Sequence, residues 1–235
     1  MAKAVELHPA AEEKAHWSLP SILKDIRDGK VDTNPLTAVE AASIPKQYYG
    51  LTQRLFISRA SGQPPVIAFT GVDWSAGSRV VCSNVARALA VQTEMPVCLI
   101  DVNLQRPDVP RTLSASPGLT EALLQPNQVR EVARHVSGSL WALSSNRNAD
   151  ETLRLLTSSR FGELMGTIRS EFRYAVIACP PISSEPAAIP MCGTADTTVL
   201  VIGSQSKRAD GERAMRVLNS MRIQIAGAVL ERSQA

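Results

Sequence analysis

Apolar residues in this chain fall into short unbroken runs separated by longer stretches with helical periodicity. Val66 to Thr70 and Thr198 to Ile202 are apolar almost throughout, as is typical of strands that are covered on both faces of a sheet. Runs of this kind, bounded by turn residues, predict strands over residues 66–70, 97–100, 140–143, 174–178, 198–202 and 225–230.

The stretches between these runs repeat apolar residues every three or four positions, which predicts helices. The predicted helices cover residues 45–58, 78–92, 118–124, 151–172 and 209–221. Strands that alternate with amphipathic helices imply an α/β fold in which a doubly wound, mostly parallel sheet is flanked by helices. Residues 46–235 are therefore predicted to form one such domain.

Residues 1–45 differ from the rest and are predicted to be an N-terminal extension. Leu19, Ile22, Leu23 and Ile26 are spaced as one face of a short amphipathic helix, and Ser18 is placed to cap it. This helix could dock on a partner or pack on its own domain, and the sequence leaves both alternatives open.

Composition narrows the possible partners and compartment. The formal net charge is +3, and no window of Lys and Arg is dense enough to predict binding to nucleic acid or to an anionic membrane. No apolar run reaches the roughly 18 residues that a membrane span needs, and residues 1–17 lack the apolar core of a signal peptide. We therefore expect a cytoplasmic protein without a membrane anchor.

The cysteines are spaced too irregularly for a disulfide framework or a zinc site, and the histidines lack metal-like companions. We expect no metal site, and we expect the four cysteines to be reduced thiols in the core. They are Cys82, Cys98, Cys179 and Cys192.

Ligands of doubly wound sheets bind beyond the carboxyl ends of the strands, and three of those ends carry distinctive residues here. The loop after the first predicted strand has the position of a phosphate-binding loop. Its candidate binding residues are Gly71, Asp73, Trp74, Gly77, Ser78, Arg79 and Val80.

The stretch 67–90 resembles the Walker A region of the bacterial tyrosine kinases of polysaccharide export and their MinD-like relatives. That family's loop reads Pro-Gly-Glu-Gly-Lys-Ser-Thr, and residues 74–80 match it only at Gly77. Ser78 replaces the lysine that would reach the β- and γ-phosphates. Arg79 replaces the hydroxyl residue that would bind Mg²⁺.

Two further strand ends resemble the family's acidic motifs. Residues 97–107 resemble "LLIDADLRRP", with Asp101 and Arg106-Pro107 retained and Asn103 in place of the second aspartate. Residues 174–181 resemble the Walker B strand, with Ala178 in place of the metal-side aspartate. Glu231 stands where the family's asparagine would meet adenine. The resemblance covers about residues 46–231 and implies a P-loop NTPase-like fold.

The substitutions predict weak or absent nucleotide binding. Phosphoryl transfer in this fold depends on positioned positive charge and on Mg²⁺. Loss of the lysine, the hydroxyl and one carboxylate removes about 5 kcal/mol of interaction, at roughly 1.5–3 kcal/mol for each charge-assisted hydrogen bond. We therefore expect no cofactor, and we interpret Asp101, Asn103 and Ala178 as vestigial rather than catalytic.

Two sharper alternatives remain open at this stage. The guanidinium of Arg79 suits phosphate and could hold one directly, whereas the simpler interpretation is a solvated arginine in the first helical turn. Asp101 could act as a general base in an altered reaction, or it could be a locally hydrogen-bonded residue at a strand end.

The resemblance implies a catalytically impaired kinase-like protein that regulates or scaffolds exopolysaccharide or capsule biosynthesis and export. Its partner would be the cytoplasmic tail of an inner-membrane polysaccharide co-polymerase, which would place it at the membrane periphery. Homo-oligomers or a sister kinase are further partners that the resemblance leaves open. The rival hypotheses are an active but divergent ATP-binding tyrosine kinase or ATPase, and a MinD/ParA-like positioning protein.

Overall fold

A computed structural model describes residues 5–8, 44–57, 65–104, 118–144 and 149–231. Its eight strands form one sheet in the order β1-β8-β7-β2-β6-β3-β5-β4. The strands are β1 Val5–His8, β2 Val66–Gly71, β3 Val97–Asp101, β4 Arg134–Ser137, β5 Leu140–Ser144, β6 Tyr174–Cys179, β7 Thr197–Gly203 and β8 Ile225–Glu231.

The six central strands run parallel, and only the two edge strands pair antiparallel. The flanking helices are α1 Lys46–Thr52, α2 Ser78–Thr93, α3 Leu119–Leu124, α4 Val129–Val132, α5 Ala149–Leu156, α6 Ser159–Glu171, α7 Ala188–Gly193 and α8 Arg208–Ser220. A π-helical turn, Gln53–Ile57, continues α1, and a 3₁₀ turn, Pro126–Gln128, precedes α4. This architecture confirms the predicted fold class.

Burial explains why the apolar runs were informative. All six residues of β2 are buried, and Ile67, Ala68 and Phe69 have no exposed surface. The apolar face predicted for α2 faces the core, since Val81, Val85, Ala88 and Leu89 are fully buried. Each of the six predicted strands is present, with ends that differ from the prediction by one residue or less.

The prediction of one long helix over residues 151–172 was wrong. The chain turns at Thr157 and Ser158, and α5 ends before α6 begins. Ser158 is the N-cap of α6, and its hydroxyl oxygen accepts a hydrogen bond from the Arg160 amide at 3.2 Å. A capping serine offers the backbone an alternative to helix continuation, so the apolar period survives across a break in the hydrogen-bond ladder.

Four short elements were not predicted: β1, β4, α4 and α7. Each spans only four to six residues, too short for a period to be distinguished from a loop. β1 lies inside the predicted N-terminal extension and pairs with β8 through the register Val5 to Glu231. The predicted helix over residues 19–26 and the Arg106-Pro107 motif lie outside the described residues.

Candidate functional site

The three motifs predicted to form a site lie on three neighbouring strands. β6 lies between β2 and β3, and all three run parallel, so their carboxyl ends meet at one edge of the sheet. Ala178 on β6 is paired in register with Phe69 on one side and with Asp101 on the other. The fold therefore brings the three motifs together at one edge of the sheet.

The loop between β2 and α2 is tightly folded against the end of β7. A Cβ atom on Gly71 would lie 2.7 Å from the Asp73 carbonyl oxygen, and one on Gly203 would lie 2.9 Å from the Ser75 carbonyl oxygen. Gly77, which begins α2, has a φ of +68°, in the left-handed region that favours glycine. Glycine is therefore required at both ends of the loop, Gly71 and Gly77, and at Gly203 in the neighbouring strand β7.

The Asp73 carboxylate binds donors of its own loop. Its Oδ1 accepts hydrogen bonds from the Ser75 amide at 2.7 Å and from the Ser75 hydroxyl at 2.5 Å. The Ala76 amide donates to the Asp73 carbonyl oxygen at 3.3 Å. Burial by itself would raise the pKa of Asp73, but hydrogen bonds from Ser206 and Ser75 outweigh it and hold the pKa below its usual value. The Ser75 amide and hydroxyl thus donate to the carboxylate of Asp73, a residue of the same loop, rather than to a bound anion.

Arg79 forms an ion pair with Asp101 across the site. Its Nη2 lies 2.6 Å from Asp101 Oδ2 and its Nε lies 3.2 Å from the same oxygen. The two side chains are only 12% and 13% exposed, so Arg79 is not a solvated surface arginine. The other carboxylate oxygen, Oδ1, accepts a hydrogen bond from the backbone amide of Asn103 at 3.0 Å. The Asp101 carboxylate is consequently engaged by a guanidinium and by its own strand end.

The remaining predicted site residues line the same edge without adding charge. Ser78 is buried in the first turn of α2, and Ala178 is buried on β6. Trp74 and Val80 are half-buried, and the Asn103 side chain is buried. Arg79 is the single cationic side chain among the site residues that the sequence predicted.

Thr70 connects the phosphate loop to the loop that follows β6. Its hydroxyl donates to the Pro180 carbonyl oxygen at 2.7 Å and accepts from the Ile182 amide at 3.0 Å. The Ser183 hydroxyl donates to the Val72 carbonyl oxygen nearby. No pattern in the sequence indicates this role, because Thr70 is simply the last residue of an apolar run.

Glu231 completes the site on the β8 side. It is 1% exposed, and its Cγ lies 3.1 Å from the position that a Cβ on Gly77 would occupy. Burial, and next the negative charge of Glu231, raise the pKa of Tyr48 in α1 above its usual range. A buried carboxylate therefore lies directly against the beginning of α2, where a triphosphate would bring further negative charge.

All four cysteines are buried and free, as predicted. Burial raises the pKa of Cys98 to about 12 and raises the pKa of Cys82 and of Cys179 well above the usual value. Because the thiolate is the reactive form, these side chains are core residues rather than nucleophiles.

Comparison with known proteins finds sequence relatives of this chain among bacterial tyrosine kinases. The chain is 26% identical over 184 residues to the tyrosine-protein kinase Wzc of Salmonella typhimurium, an alignment that covers 77% of this chain and 26% of the kinase. The chain is therefore similar in sequence to tyrosine-protein kinases of this kind. It spans about a quarter of the length of the curated relatives it matches. No protein-family model matches it.

Solved structures confirm the fold of this chain. The kinase domain of Escherichia coli tyrosine kinase ETK superposes with a TM-score of 0.72 at 22% identity, covering 88% of this chain and 84% of that one. The cell division protein MinD of Aquifex aeolicus superposes with a TM-score of 0.54 at 19% identity, covering 71% and 68% of the two chains. Both are P-loop NTPase folds, as the motifs predicted.

Proposed function

We propose that this chain is a catalytically impaired member of the bacterial tyrosine kinase fold that works through protein contacts. Its role would be to regulate or scaffold exopolysaccharide or capsule biosynthesis and export. By resemblance, its partner is the cytoplasmic tail of a membrane polysaccharide co-polymerase, which would hold it at the inner face of the membrane. It would need no nucleotide and no metal for this role.

The ion pair between Arg79 and Asp101 is the observation that carries the proposal. By resemblance, Arg79 stands at the Mg²⁺-binding hydroxyl and Asp101 at an acidic residue of the nucleotide site. A guanidinium 2.6 Å from that carboxylate neutralises it and occupies its Oδ2. Binding Mg²⁺ there would require breaking the pair and leaving an arginine beside a divalent cation, which Coulomb repulsion opposes.

The anionic side of the site supports the same conclusion. A P-loop binds phosphate through backbone amides, a helix N-terminus and a lysine. Here the Asp73 carboxylate accepts hydrogen bonds from the Ser75 backbone amide and hydroxyl. By resemblance, Ser78 stands in place of the lysine. Glu231 adds a buried carboxylate beside Gly77. A triphosphate would therefore meet two carboxylates and would find its main cationic partner missing.

Isothermal titration of the full chain with Mg·ATP and Mg·ADP tests the impairment. We expect no binding at millimolar nucleotide, which corresponds to less than about 4.1 kcal/mol of binding free energy. A variant that restores the family residues, Ser78→Lys with Arg79→Ser, Ala178→Asp and Glu231→Asn, tests the stated cause and should gain affinity. Micromolar binding by the wild-type chain, abolished by Arg79→Ala, would instead favour an active but divergent ATP-binding tyrosine kinase or ATPase.

The partner is tested separately, by co-purifying the chain with the cytoplasmic segments of a co-polymerase encoded in the same genome. Recovery of that protein supports the scaffold role. Recovery of a septum or chromosome factor instead would favour a MinD/ParA-like positioning protein. The two experiments are independent, since a chain that fails to bind nucleotide could belong to either of these classes.

A further inference from the structure

One helix and its two ends carry an excess of positive charge. Residues 207–222, which contain α8, carry five basic and two acidic side chains, an excess of three positive charges. The formal net charge of the whole chain is also +3, so the rest of the chain balances to zero. The basic residues are Lys207, Arg208, Arg213, Arg216 and Arg222, which we call the α8 basic stripe.

The α8 basic stripe faces away from the core. Ala214 and Leu218 form the buried side of the helix, whereas all five basic residues are exposed. Arg216 lies about 160–180° around the helix from Ala214 and Leu218, at 100° per residue, and so points directly outward. Arg213 is its neighbour three residues earlier on the same surface.

Most of this charge is not neutralised within the described part of the chain. Glu212 pairs with Arg208 at 2.8 Å, and Asp210 lies on the half-buried flank of the helix. Lys207, Arg213, Arg216 and Arg222 form no ion pair with any described residue. The surface therefore offers three arginines and one lysine to an outside anion.

The position of α8 relates this surface to the candidate site. The helix begins just after Ser206, whose hydroxyl accepts the Gly203 amide at 3.0 Å and hydrogen-bonds to Asp73. The helix itself, Arg208–Ser220, is about 18 Å long at roughly 1.5 Å per residue. It runs from the loop edge of the sheet to the opposite edge, where β8 begins.

We infer that the α8 basic stripe is a docking surface for an acidic polypeptide segment of a partner protein. Arginine forks bind carboxylates with two parallel hydrogen bonds, and three of the four unneutralised side chains are arginines. Asp210 and Glu212 lie between the basic residues and repel anions locally. The stripe therefore suits a segment whose carboxylates are spaced apart better than it suits a dense polyanion. Duplex DNA carries one negative charge per roughly 1.7 Å of its axis, a far higher charge density than this stripe matches.

A lipid surface fits these residues less well. Helices that lie in a membrane interface expose large apolar side chains beside their basic residues. On α8 and its end, the exposed large apolar side chain is Met221, at the far end of the stripe. The inference goes beyond the proposed function and does not depend on the state of the nucleotide site.

Fluorescence anisotropy of the full chain with a labelled twelve-residue oligoglutamate tests the inference. The test variant is Arg213→Glu with Arg216→Glu. The matched control, Arg154→Glu with Arg160→Glu, makes the same charge change on exposed arginines of α5 and α6. We expect the test variant to lose affinity by about tenfold or more and the control by less than about twofold. Both variants change the net charge equally, so a difference between them shows which arginines contact the peptide.

Parallel titrations with phosphatidylglycerol-containing vesicles and with duplex DNA separate the other anions. The inference is overturned if both variants lose affinity equally, if the wild type does not bind oligoglutamate at 50 mM salt, or if vesicles or DNA bind more tightly through the same arginines. Thermal melts check that the charge-reversed chains fold. If the double variant is unstable, Arg216→Gln should still weaken binding, with no effect from Arg160→Gln.

Discussion

Glu231 and Gly77 are in contact at the beginning of α2, although 154 positions separate them in the chain. The Cγ of Glu231 lies 3.1 Å from where a Cβ on Gly77 would stand, and Gly77 has a φ of +68°. The end of the last strand thus restricts the loop between β2 and α2 sterically. Glycine is therefore favoured at position 77 for two separable reasons, the left-handed backbone and the contact with Glu231.

Gly77→Ala should destabilise the fold for both reasons. The left-handed conformation costs a non-glycine residue about 1–2 kcal/mol, and the crowded Cβ adds to that cost. In a Glu231→Ala background the steric part disappears, so the same substitution should cost less. Urea unfolding of the four proteins measures the coupling. Equal costs in both backgrounds would mean that Glu231 does not press on this glycine.

Arg79→Ala should lower the free energy of unfolding by about 2–3 kcal/mol, because it leaves the largely buried Asp101 carboxylate without its guanidinium. Arg160→Ala is the matched control, since Arg160 pairs with Glu163 at 3.6 Å with both side chains about half exposed. Exposed pairs of that kind contribute roughly 0–1 kcal/mol. The difference should persist at high salt, which screens the exposed pair but not the buried one. A loss no larger than that of the control would contradict the structural role given to this pair.

Thr70→Val tests the connection between the phosphate loop and the segment after β6. Valine keeps the shape but leaves the Pro180 carbonyl and the Ile182 amide without their partner, at a cost of about 1–3 kcal/mol. Thr198→Val is an unusually close control. Thr198 is also fully buried, and its hydroxyl has no hydrogen-bond partner within the described ranges.

We therefore expect Thr198→Val to be neutral or stabilising, because it removes a buried polar atom that makes no hydrogen bond. Chemical denaturation of both variants at the same pH gives the comparison. Equal destabilisation by the two substitutions would show that the Thr70 hydrogen bonds contribute nothing.

Asp73→Asn should change how stability depends on pH. The folded pKa of Asp73 is depressed, so its carboxylate contributes stability above the unfolded pKa of about 3.9, and that contribution is lost as pH falls through the folded pKa. The wild type should exceed the variant in melting temperature at pH 6–7, and the gap should narrow below about pH 4. The matched control is Glu163→Gln, the same carboxyl-to-amide change at an exposed position of α6, which should alter the melting temperature less than Asp73→Asn does at pH 6–7. A gap that widens in acid would reverse the assigned sign.

The sequence identified the sheet well because its central strands are apolar without interruption. β2, β3, β6 and β7 lie between two helical layers, so each exposes almost no polar residue and stands out from its surroundings. Ser158 illustrates the limit of that method. It caps α6 without interrupting the apolar period, so two helices have the sequence signature of one.

The location of the candidate site could be predicted from the sequence, but the contacts between its side chains could not. Chain order along a doubly wound sheet brings residues 71–80, 101–103 and 178 to one edge, whatever the side chains are. That Arg79 turns toward Asp101, and that Asp73 turns back onto Ser75, depends on rotamers and loop geometry. Such choices depend on which donor and acceptor lie within about 3 Å, which spacing along a chain does not encode.

The amino-acid sequence by itself determined the fold class and the positions of the six parallel strands, because those features follow from local apolar patterning. Only the tertiary structure decided that Arg79 pairs with Asp101, that Glu231 meets Gly77, and that the basic residues of α8 and its ends are exposed. The reason is that ion pairs and charged surfaces arise between residues far apart in the chain or on one side of a helix. Their free energy depends on distance and burial, which exist only after the chain has folded.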